Sequence, residues 1–238
     1  MSGHSKWHSI KYQKAAADAK KGAIFTRISR NITMAAKSGG GDIETNFKLR
    51  LAVDQAKTVN MPKDNIERAI KKGTGEGAED QLQEITYEGY GPAGVAIIIK
   101  TVTDNNKRTV SDVRHTLTKS GGSLGESGSV MWNFEQKGVI RLDAKNLDKN
   151  NIELIAIDAD ADDIQDDEDG IMITTNPKNL QNLKQALEKN KITAEYADIE
   201  YIAKNTVDIT ENEKNKLEKL TDALDELEDV SDYYTNAT

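Results

Sequence analysis

The hydrophobic pattern of the chain changes its period near residue 80, and this change constrains the fold more than any other feature. Before residue 73, apolar residues recur every three or four positions, which is the spacing of amphipathic helices. From Ile85 onward, short runs rich in Val, Ile, Thr and Tyr alternate with helical stretches. Residues 73–83, rich in glycine and acidic side chains, are typical of a linker. The sequence therefore predicts a helical region followed by α+β domains.

The N-terminal region predicts three helices. In the first, apolar residues from Ala23 onward fall on one side until the glycines at 39–41 end it. The second covers residues 47–59. Pro62 suits the first turn of a third helix, and Gly73 suits the position just past its end. Three short helices with tight connections predict a small bundle.

The remainder predicts two small α+β sandwiches with antiparallel sheets, a multidomain α+β architecture. Thr109 with Asp112, and Thr210 with Glu213, have the spacing of helix-capping boxes. A helix is also expected to start at Pro177. Strands are predicted at residues 85–90, 95–102, 130–134, 139–142, 171–174 and 197–202, with a tail strand near Tyr233 and Tyr234.

Charge is divided unequally along the chain. Residues 1–75 contain 15 Lys and Arg against 6 Asp and Glu, a net of +9. The rest contains 17 against 34, a net of −17, which together give the overall −8. A local field of one sign attracts a ligand of the opposite sign even when the whole molecule is repulsive. The basic third therefore predicts a polyanionic partner.

Composition and the N-terminal sequence also indicate the cellular compartment of the protein. The absence of cysteine excludes disulfides, thiolate metal sites and a cysteine nucleophile. No apolar run approaches the ~18 residues that a membrane helix needs. The N-terminus lacks the apolar core of a secretory signal. We therefore expect a cytoplasmic protein that makes no contact with a membrane.

An acidic run at residues 158–169 raises the question of a calcium site. Counted from Asp158, positions 1, 3 and 5 match an EF-hand loop. Position 6, which requires glycine, is Asp163, and position 12, normally glutamate, is Asp169. The run is better interpreted as a solvated acidic loop.

The sequence contains no recognisable catalytic constellation. His4 and His8 have no third ligand nearby, and His115 stands alone on a predicted helix, so each is interpreted as a surface histidine. The glycines at 73–77 and 121–128 lack the sequence context of a phosphate loop or a dinucleotide fold. We therefore predict a non-enzymatic protein with no metal, cofactor or small-molecule substrate.

The first helix predicts a basic face. Arg27, Arg30 and Lys37 fall within a narrow arc opposite the apolar side, and Lys20 joins them only if the helix runs through Gly22. A solvated helix face is the alternative, but such a face mixes both signs. Residues 1–37 carry eight positive side chains and one negative. This bias favours contact with a phosphate backbone, which is a regular line of negative charge.

Trp7, among these lysines, either stacks on a base or docks the N-terminal arm on its own domain, and the sequence leaves both open. Replacing Lys11, Lys14, Arg27 and Arg30 together with Glu is expected to abolish nucleic-acid binding and to leave thermal stability nearly unchanged. The candidate nucleic-acid contacts are Lys6, Trp7, Lys11, Lys14, Lys20, Lys21, Arg27, Arg30, Lys37, Lys71 and Lys72.

Several motifs follow one another along the chain in a specific order and at specific spacing. They include Met1-Ser-Gly-His-Ser-Lys-Trp7, Asn60-Met-Pro62, Tyr87-Glu-Gly-Tyr-Gly-Pro92, Val113-Arg-His115 and Gly121-Gly122. In these motifs the chain resembles the YebC/PmpR family, and the resemblance extends over essentially the whole chain and thins after residue 143. His8, Gln13 and Lys107 depart from the usual pattern of that family, so its contacts are not carried over to them.

The resemblance implies three domains, the third inserted within the second. The expected boundaries are a basic helical domain at 1–76, a second domain at 80–131 plus 204–238, and an acidic third domain at 132–203. Members of the family are described as DNA-binding transcriptional regulators, and a mitochondrial branch as translational activators. Other views place the family at the ribosome, where it relieves stalled translation.

We therefore expect a non-enzymatic, DNA-binding transcriptional regulator that acts through its basic N-terminal domain. The alternative is a ribosome-associated translation factor that binds ribosomal RNA. The chain shows no clear recognition helix with Asn, Gln and Arg at its start, which favours the alternative on physical grounds. A third possibility is a protein-interaction adaptor with an incidental basic face, which predicts salt-insensitive binding to a protein.

Overall fold

The structure is a computed structural model that describes residues 18–75, 82–143, 148–167 and 170–238. These residues form two compact units of an α+β protein. One unit is Glu135–Ile202, and the other combines the described residues before Glu135 with those after Ile202. The chain therefore leaves the larger unit, builds the smaller one, and returns. The division into three domains at the boundaries given above stays a prediction.

The described part of the larger unit starts with three helices, as the hydrophobic spacing predicted. The first runs through Gly22, so that its basic arc starts earlier than the apolar pattern alone required. Ile32, Leu49 and Ala56 are fully buried where the helices meet. Pro62 lies at the N-cap of the third helix rather than in its first turn. The helices are α1 (Asp18–Gly39), α2 (Phe47–Thr58) and α3 (Lys63–Gly73).

Asn46 joins the first two helices. Its side-chain oxygen accepts from the Leu49 amide at 3.1 Å, which caps α2. Its Nδ2 donates to the carbonyl oxygens of Ala35 at 2.8 Å and Gly40 at 2.7 Å. A Cβ on Gly39 would lie 2.7 Å from that Nδ2. Glycine at this position therefore lets the buried asparagine approach the end of α1.

A four-stranded sheet and two helices complete the larger unit. The strands lie in the order β3-β1-β2-β8, and each pairing is antiparallel. Buried side chains of the two helices, such as Val113 and Leu220, pack with Ile97 and Tyr233 of the sheet. The elements are β1 (Gln83–Tyr90), β2 (Ala96–Thr103), α4 (Asn106–Lys119), β3 (Ser123–Leu124), α7 (Glu211–Asp225) and β8 (Val230–Thr235).

The two predicted capping boxes have opposite outcomes. Thr210 and Glu213 form a capping box at the start of α7, as predicted. The box at Thr109 is wrong, because α4 begins earlier and Asn105 caps it. Thr109 is 1% exposed, and its hydroxyl lies 2.7 Å from a carboxylate oxygen of Asp229. A buried hydroxyl that serves a tertiary contact is indistinguishable from a capping residue in sequence alone.

The smaller unit contains a second four-stranded sheet, in the order β5-β6-β4-β7. Strand β6 pairs antiparallel with both β4 and β5. Its apolar centre includes Ile140, Ile152, Ile173 and Leu183, none more than 1% exposed. The elements are β4 (Phe134–Leu142), α5 (Lys149–Asp158), β5 (Ala161–Asp167), β6 (Gly170–Thr175), α6 (Leu180–Lys189) and β7 (Tyr196–Ala203).

The prediction that the acidic run at residues 158–169 forms a solvated loop is wrong in part. Much of it is not a loop but strand β5, which lies at the edge of its sheet and pairs Ile164 with Ile173. The exposed Asp162, Asp163 and Asp166 place charge along that edge. Charged side chains on an edge strand discourage its pairing with the sheet of another molecule, and this role accounts for the negative charge of the run.

The helix expected from Pro177 begins later, at Leu180.

The strand predicted at residues 130–134 is also wrong, because a buried carboxylate binds the backbone there. Glu88 on β1 is 6% exposed and accepts from the amides of Gly128 at 2.6 Å, Val130 at 2.8 Å and Met131 at 2.8 Å. Burial alone would raise the pKa of Glu88, but these three backbone bonds outweigh it and hold the pKa below its ordinary value. The segment therefore turns through a short 3₁₀ helix, Met131–Asn133, before β4.

Glu88→Gln should destabilise the protein by about 1–3 kcal/mol, because one of the three buried amides would face an amino group instead of an oxygen. Urea unfolding of the full chain measures the loss. Glu84→Gln is the matched control on the same strand, because Glu84 is exposed and pairs with Lys48 at 3.3 Å. Equal stabilities of the two variants would contradict the role given to Glu88.

Candidate nucleic-acid interface

The basic arc of α1 does not face solvent along its length. Arg27 is 6% exposed. Its Nη1 lies 3.1 Å from Oδ1 of Asp225, and its Nη2 donates to the Asp225 carbonyl at 2.6 Å. One turn further along, Nη1 of Arg30 donates to Oδ1 of Asp229 at 2.7 Å and to the carbonyl of Glu228 at 2.6 Å. We call Arg27 and Arg30 the inner arginines, because they bind the last residue of α7 and the turn between α7 and β8, respectively.

Asp229 is the centre of this contact. It is 8% exposed and also accepts from Nη2 of Arg108, at 2.9 Å, and from the hydroxyl of Thr109. Burial alone would raise the pKa of Asp229. The bonds from Thr109 and Arg108, with the charges of Arg30 and Arg108, outweigh burial and lower that pKa below its ordinary value. The carboxylate therefore stays ionised and joins α1, α4 and β8.

This arrangement overturns the expectation that the inner arginines can be replaced without a loss of stability. Their side chains are bound to carboxylates of the same chain, and changing either to Glu would place like charges together in a largely dry contact. The helical pattern located the arc correctly. It could not reveal that acidic residues almost 200 positions later in the chain would lie against it.

Lys37, the last member of the arc, has a different environment. It is exposed, and its Nζ donates to the carbonyl of Leu82 at 3.1 Å. An ammonium group has three donor hydrogens, so this bond leaves capacity for a second acceptor. Lys20 and Lys21 lie on α1, and the structure describes only their backbone. Lys6, Trp7, Lys11 and Lys14 lie outside the described residues.

The C-terminal half of α3 holds a group of exposed cations, Arg68, Lys71 and Lys72, which we call the α3 cluster. Arg68 was absent from the sequence candidates, although its spacing of three and four residues from the two lysines could have identified it. On the opposite face, Ile66 and Ala69 are buried against the bundle. The cluster therefore faces away from the bundle core.

Close packing positions the α3 cluster beside α1. Thr33 of α1 donates through its hydroxyl to the carbonyl of Ala69 at 3.1 Å. A Cβ on Gly73 would lie 2.4 Å from the carbonyl oxygen of Thr33. The sequence interpretation of Gly73 as a residue past the helix end is therefore wrong. Gly73 is the last residue of α3 and permits a close approach of two helices.

Two other kinds of site were sought in the described part of the chain. No group of three or more His, Asp or Glu side chains is arranged there to hold a metal ion. None of the helices described is long and apolar enough to cross a membrane.

Two family models together match nearly the whole chain. The TACO1/YebC protein N-terminal domain matches residues 5–76. The TACO1/YebC second and third domain matches residues 82–237. The junction between the two matches falls within the glycine-rich and acidic segment where the hydrophobic period changes.

Individual relatives agree with these matches. A protein of Thermotoga maritima named probable transcriptional regulatory protein is 50% identical over 237 residues, covering 99% of this chain and 93% of its own length. A protein of the same name from Pseudothermotoga lettingae is 48% identical over 237 residues, with the same coverage of 99% and 93%. The crystal structure of a conserved hypothetical protein from Aquifex aeolicus superposes with a TM-score of 0.86 at 44% identity, covering 94% of this chain and 93% of that one.

Asp229→Asn should lower the free energy of unfolding by about 2–3 kcal/mol near neutral pH, because Arg30 and Arg108 lose their shared carboxylate. A carboxylate with a lowered pKa stabilises the fold above its ordinary pKa of about 3.9, and the stabilisation is lost as pH falls through the lowered value. The difference between wild type and variant should therefore shrink below about pH 4. Denaturant titrations at several pH values measure it, and a difference independent of pH would contradict the account.

Proposed function

Because the chain belongs to the TACO1/YebC family, we propose that it is a regulatory protein without enzymatic activity that binds nucleic acid through its basic N-terminal region. The observation that supports this proposal most strongly is the distribution of charge along the chain. Residues 1–75 have a net charge of +9 in a chain whose total is −8, and the α3 cluster is exposed at the end of its helix. Relatives named probable transcriptional regulatory proteins support the regulatory part of the proposal.

The cations of this region divide into two roles. The inner arginines hold α1 against the end of α7 and the turn that leads into β8, so they form the framework. The α3 cluster and Lys37 provide exposed charge for phosphate oxygens. Lys6, Lys11, Lys14, Lys20 and Lys21 remain predicted phosphate contacts, and Trp7 a predicted stacking or docking residue.

The exposed face of α3 favours backbone contacts over base reading. Its outward residues are charged, namely the cluster together with Lys63, Asp64 and Glu67. Asn, Gln and Arg are the usual readers of a base edge in duplex DNA, and this face presents a single arginine, Arg68, and no exposed Asn or Gln. Phosphate contacts position a protein on nucleic acid without specifying its sequence. The described surface therefore suits a partner recognised by backbone and shape.

Two partners fit within this proposal. Duplex DNA is the first, because the relatives are named as transcriptional regulators. Ribosomal RNA is the second, favoured by the charged face of α3, because structured RNA is recognised largely through backbone and shape. In either case we place the protein in the cytoplasm.

Arg68→Glu with Lys71→Glu should weaken binding by about tenfold or more and reduce the salt slope of the binding constant by about two, because two phosphate contacts are lost. Fluorescence anisotropy with labelled duplex DNA and with single-stranded and structured RNA, at salt concentrations between about 50 and 200 mM, measures both quantities. The nucleic acid that the wild-type chain binds most tightly also indicates which of the two partners, duplex DNA or structured RNA, the protein prefers.

The matched control is Lys216→Glu with Lys219→Glu, which makes the same change of charge on the exposed side of α7. That side also carries Glu218 and Asp222, so its field is mixed in sign. Both double variants should unfold at nearly the wild-type temperature, because their substitutions are on exposed side chains. Equal affinities of the two variants would refute binding through the α3 cluster.

A further inference from the structure

Helix α4 carries an unusual charge for its surroundings. The parts of the larger unit that follow the linker, residues 82–134 and 203–238, contain nine Lys and Arg against fifteen Asp and Glu, a net of −6. Four of those nine cations lie on the fourteen residues of α4, together with His115 and a single acid, Asp112. An otherwise acidic region therefore contains one basic element.

These cations lie on the outer side of the helix. Thr109, Val113 and Leu117 are buried toward the sheet and α7. At 100° per residue, Lys107 and Arg114 fall within about 20° of one another on the opposite side. Lys119, about 120° from Lys107, lies on the flank of the helix near the exposed Asp112. From Lys107 to Arg114 the outer side extends about 10 Å at 1.5 Å per residue. We call Lys107 and Arg114 the α4 face.

The charge of the α4 face is not neutralised within the described part of the chain. Lys107, Arg114 and Lys119 make no hydrogen bond or ion pair with any described residue. Only the neighbouring Arg108 is paired, with Asp104 and Asp229. Surface helices normally intersperse the two signs, as α7 does with three lysines among its acids. A helix face of one sign maintains a local field for a ligand of the opposite sign.

The α4 face begins beside the basic N-terminal region. Asp229 is shared by Arg30 of α1 and Arg108 in the first turns of α4. On the other side of that junction, Lys37 of α1 binds the carbonyl of Leu82, and the next residue, Gln83, accepts from Nδ2 of Asn106 at 3.4 Å. Both contacts lie within the larger compact unit. The first turn of α4 is therefore held beside α1.

We propose that the α4 face is a second phosphate-binding surface, which contacts the same nucleic acid as the N-terminal region. This inference rests on the proposed function, and it adds a site in a part of the chain that is acidic overall. The phosphates of one strand are spaced about 3.4 Å apart along a duplex, so a face about 10 Å long spans about three of them. Two surfaces on one compact unit would bind a longer stretch of backbone than either alone.

The test compares Lys107→Glu with Arg114→Glu against the control Lys216→Glu with Lys219→Glu, using the full chain and a duplex of about 30 base pairs or an RNA of about 30 nucleotides. The α4 variant should bind about tenfold more weakly than the control, with a salt slope lower by about two. A probe of about 8 base pairs, too short to cover both surfaces, should show a much smaller difference between the variants.

The variant of the α3 cluster is measured in the same experiment. It distinguishes a failure of the α4 proposal from a failure of the proposed function. If the α3 variant loses binding while the α4 variant matches the control on the long probe, the α4 face is refuted and the proposed function stands. If neither differs from the control, the α3 cluster and the α4 face are both refuted as contacts, and a wild-type chain that binds none of the probes refutes the proposed function itself. A variant with Lys107→Gln and Arg114→Gln removes positive charge without adding negative charge. It should lose less nucleic-acid affinity than the glutamate variant.

Discussion

The buried carboxylate of Asp229 is the interaction on which the larger unit depends. An ionised group that is 8% exposed is costly unless charged and hydrogen-bonding partners compensate it, and here Arg30, Arg108 and Thr109 do so. Those partners come from α1 and α4, while Asp229 itself precedes β8. One side chain therefore joins the N-terminal helices to a sheet built from distant parts of the chain. Arg27 and Asp225 form a second, adjacent connection of the same kind.

This connection changes the meaning of the basic charge in the first third of the chain. A cation bound to an internal carboxylate has little capacity left for phosphate, and it contributes to the framework instead. Exposed cations, among them Lys37 and those on the C-terminal half of α3 and the outer side of α4, are accessible to a polyanion. Since both surfaces belong to one compact unit, their spacing is set before any ligand binds. Prearranged surfaces lose less conformational entropy on binding than flexible ones.

Local sequence signals predicted much of the fold. Apolar periodicity located the helices of the bundle, and the capping box at Thr210 marked the start of α7. Several of the failures involve long-range contacts. Thr109 has the spacing of a cap but serves Asp229, while Glu88 draws three amides away from a predicted strand. Position 73 requires glycine because a neighbouring helix approaches it closely, and not because of its own backbone conformation. The inner arginines satisfied every local criterion for an exposed basic face, and only the folded chain reveals the acids opposite them.

The division between framework and binding cations is tested most directly at Arg27. A double-mutant cycle with Arg27→Met and Asp225→Asn would measure the free energy of unfolding and the nucleic-acid affinity of all four proteins. Each single variant should lose stability, their effects should be non-additive by about 1 kcal/mol or more, and affinity should remain close to that of wild type. Additive effects on stability, combined with an affinity that falls whenever Arg27 is replaced, would make Arg27 a phosphate contact and contradict the account.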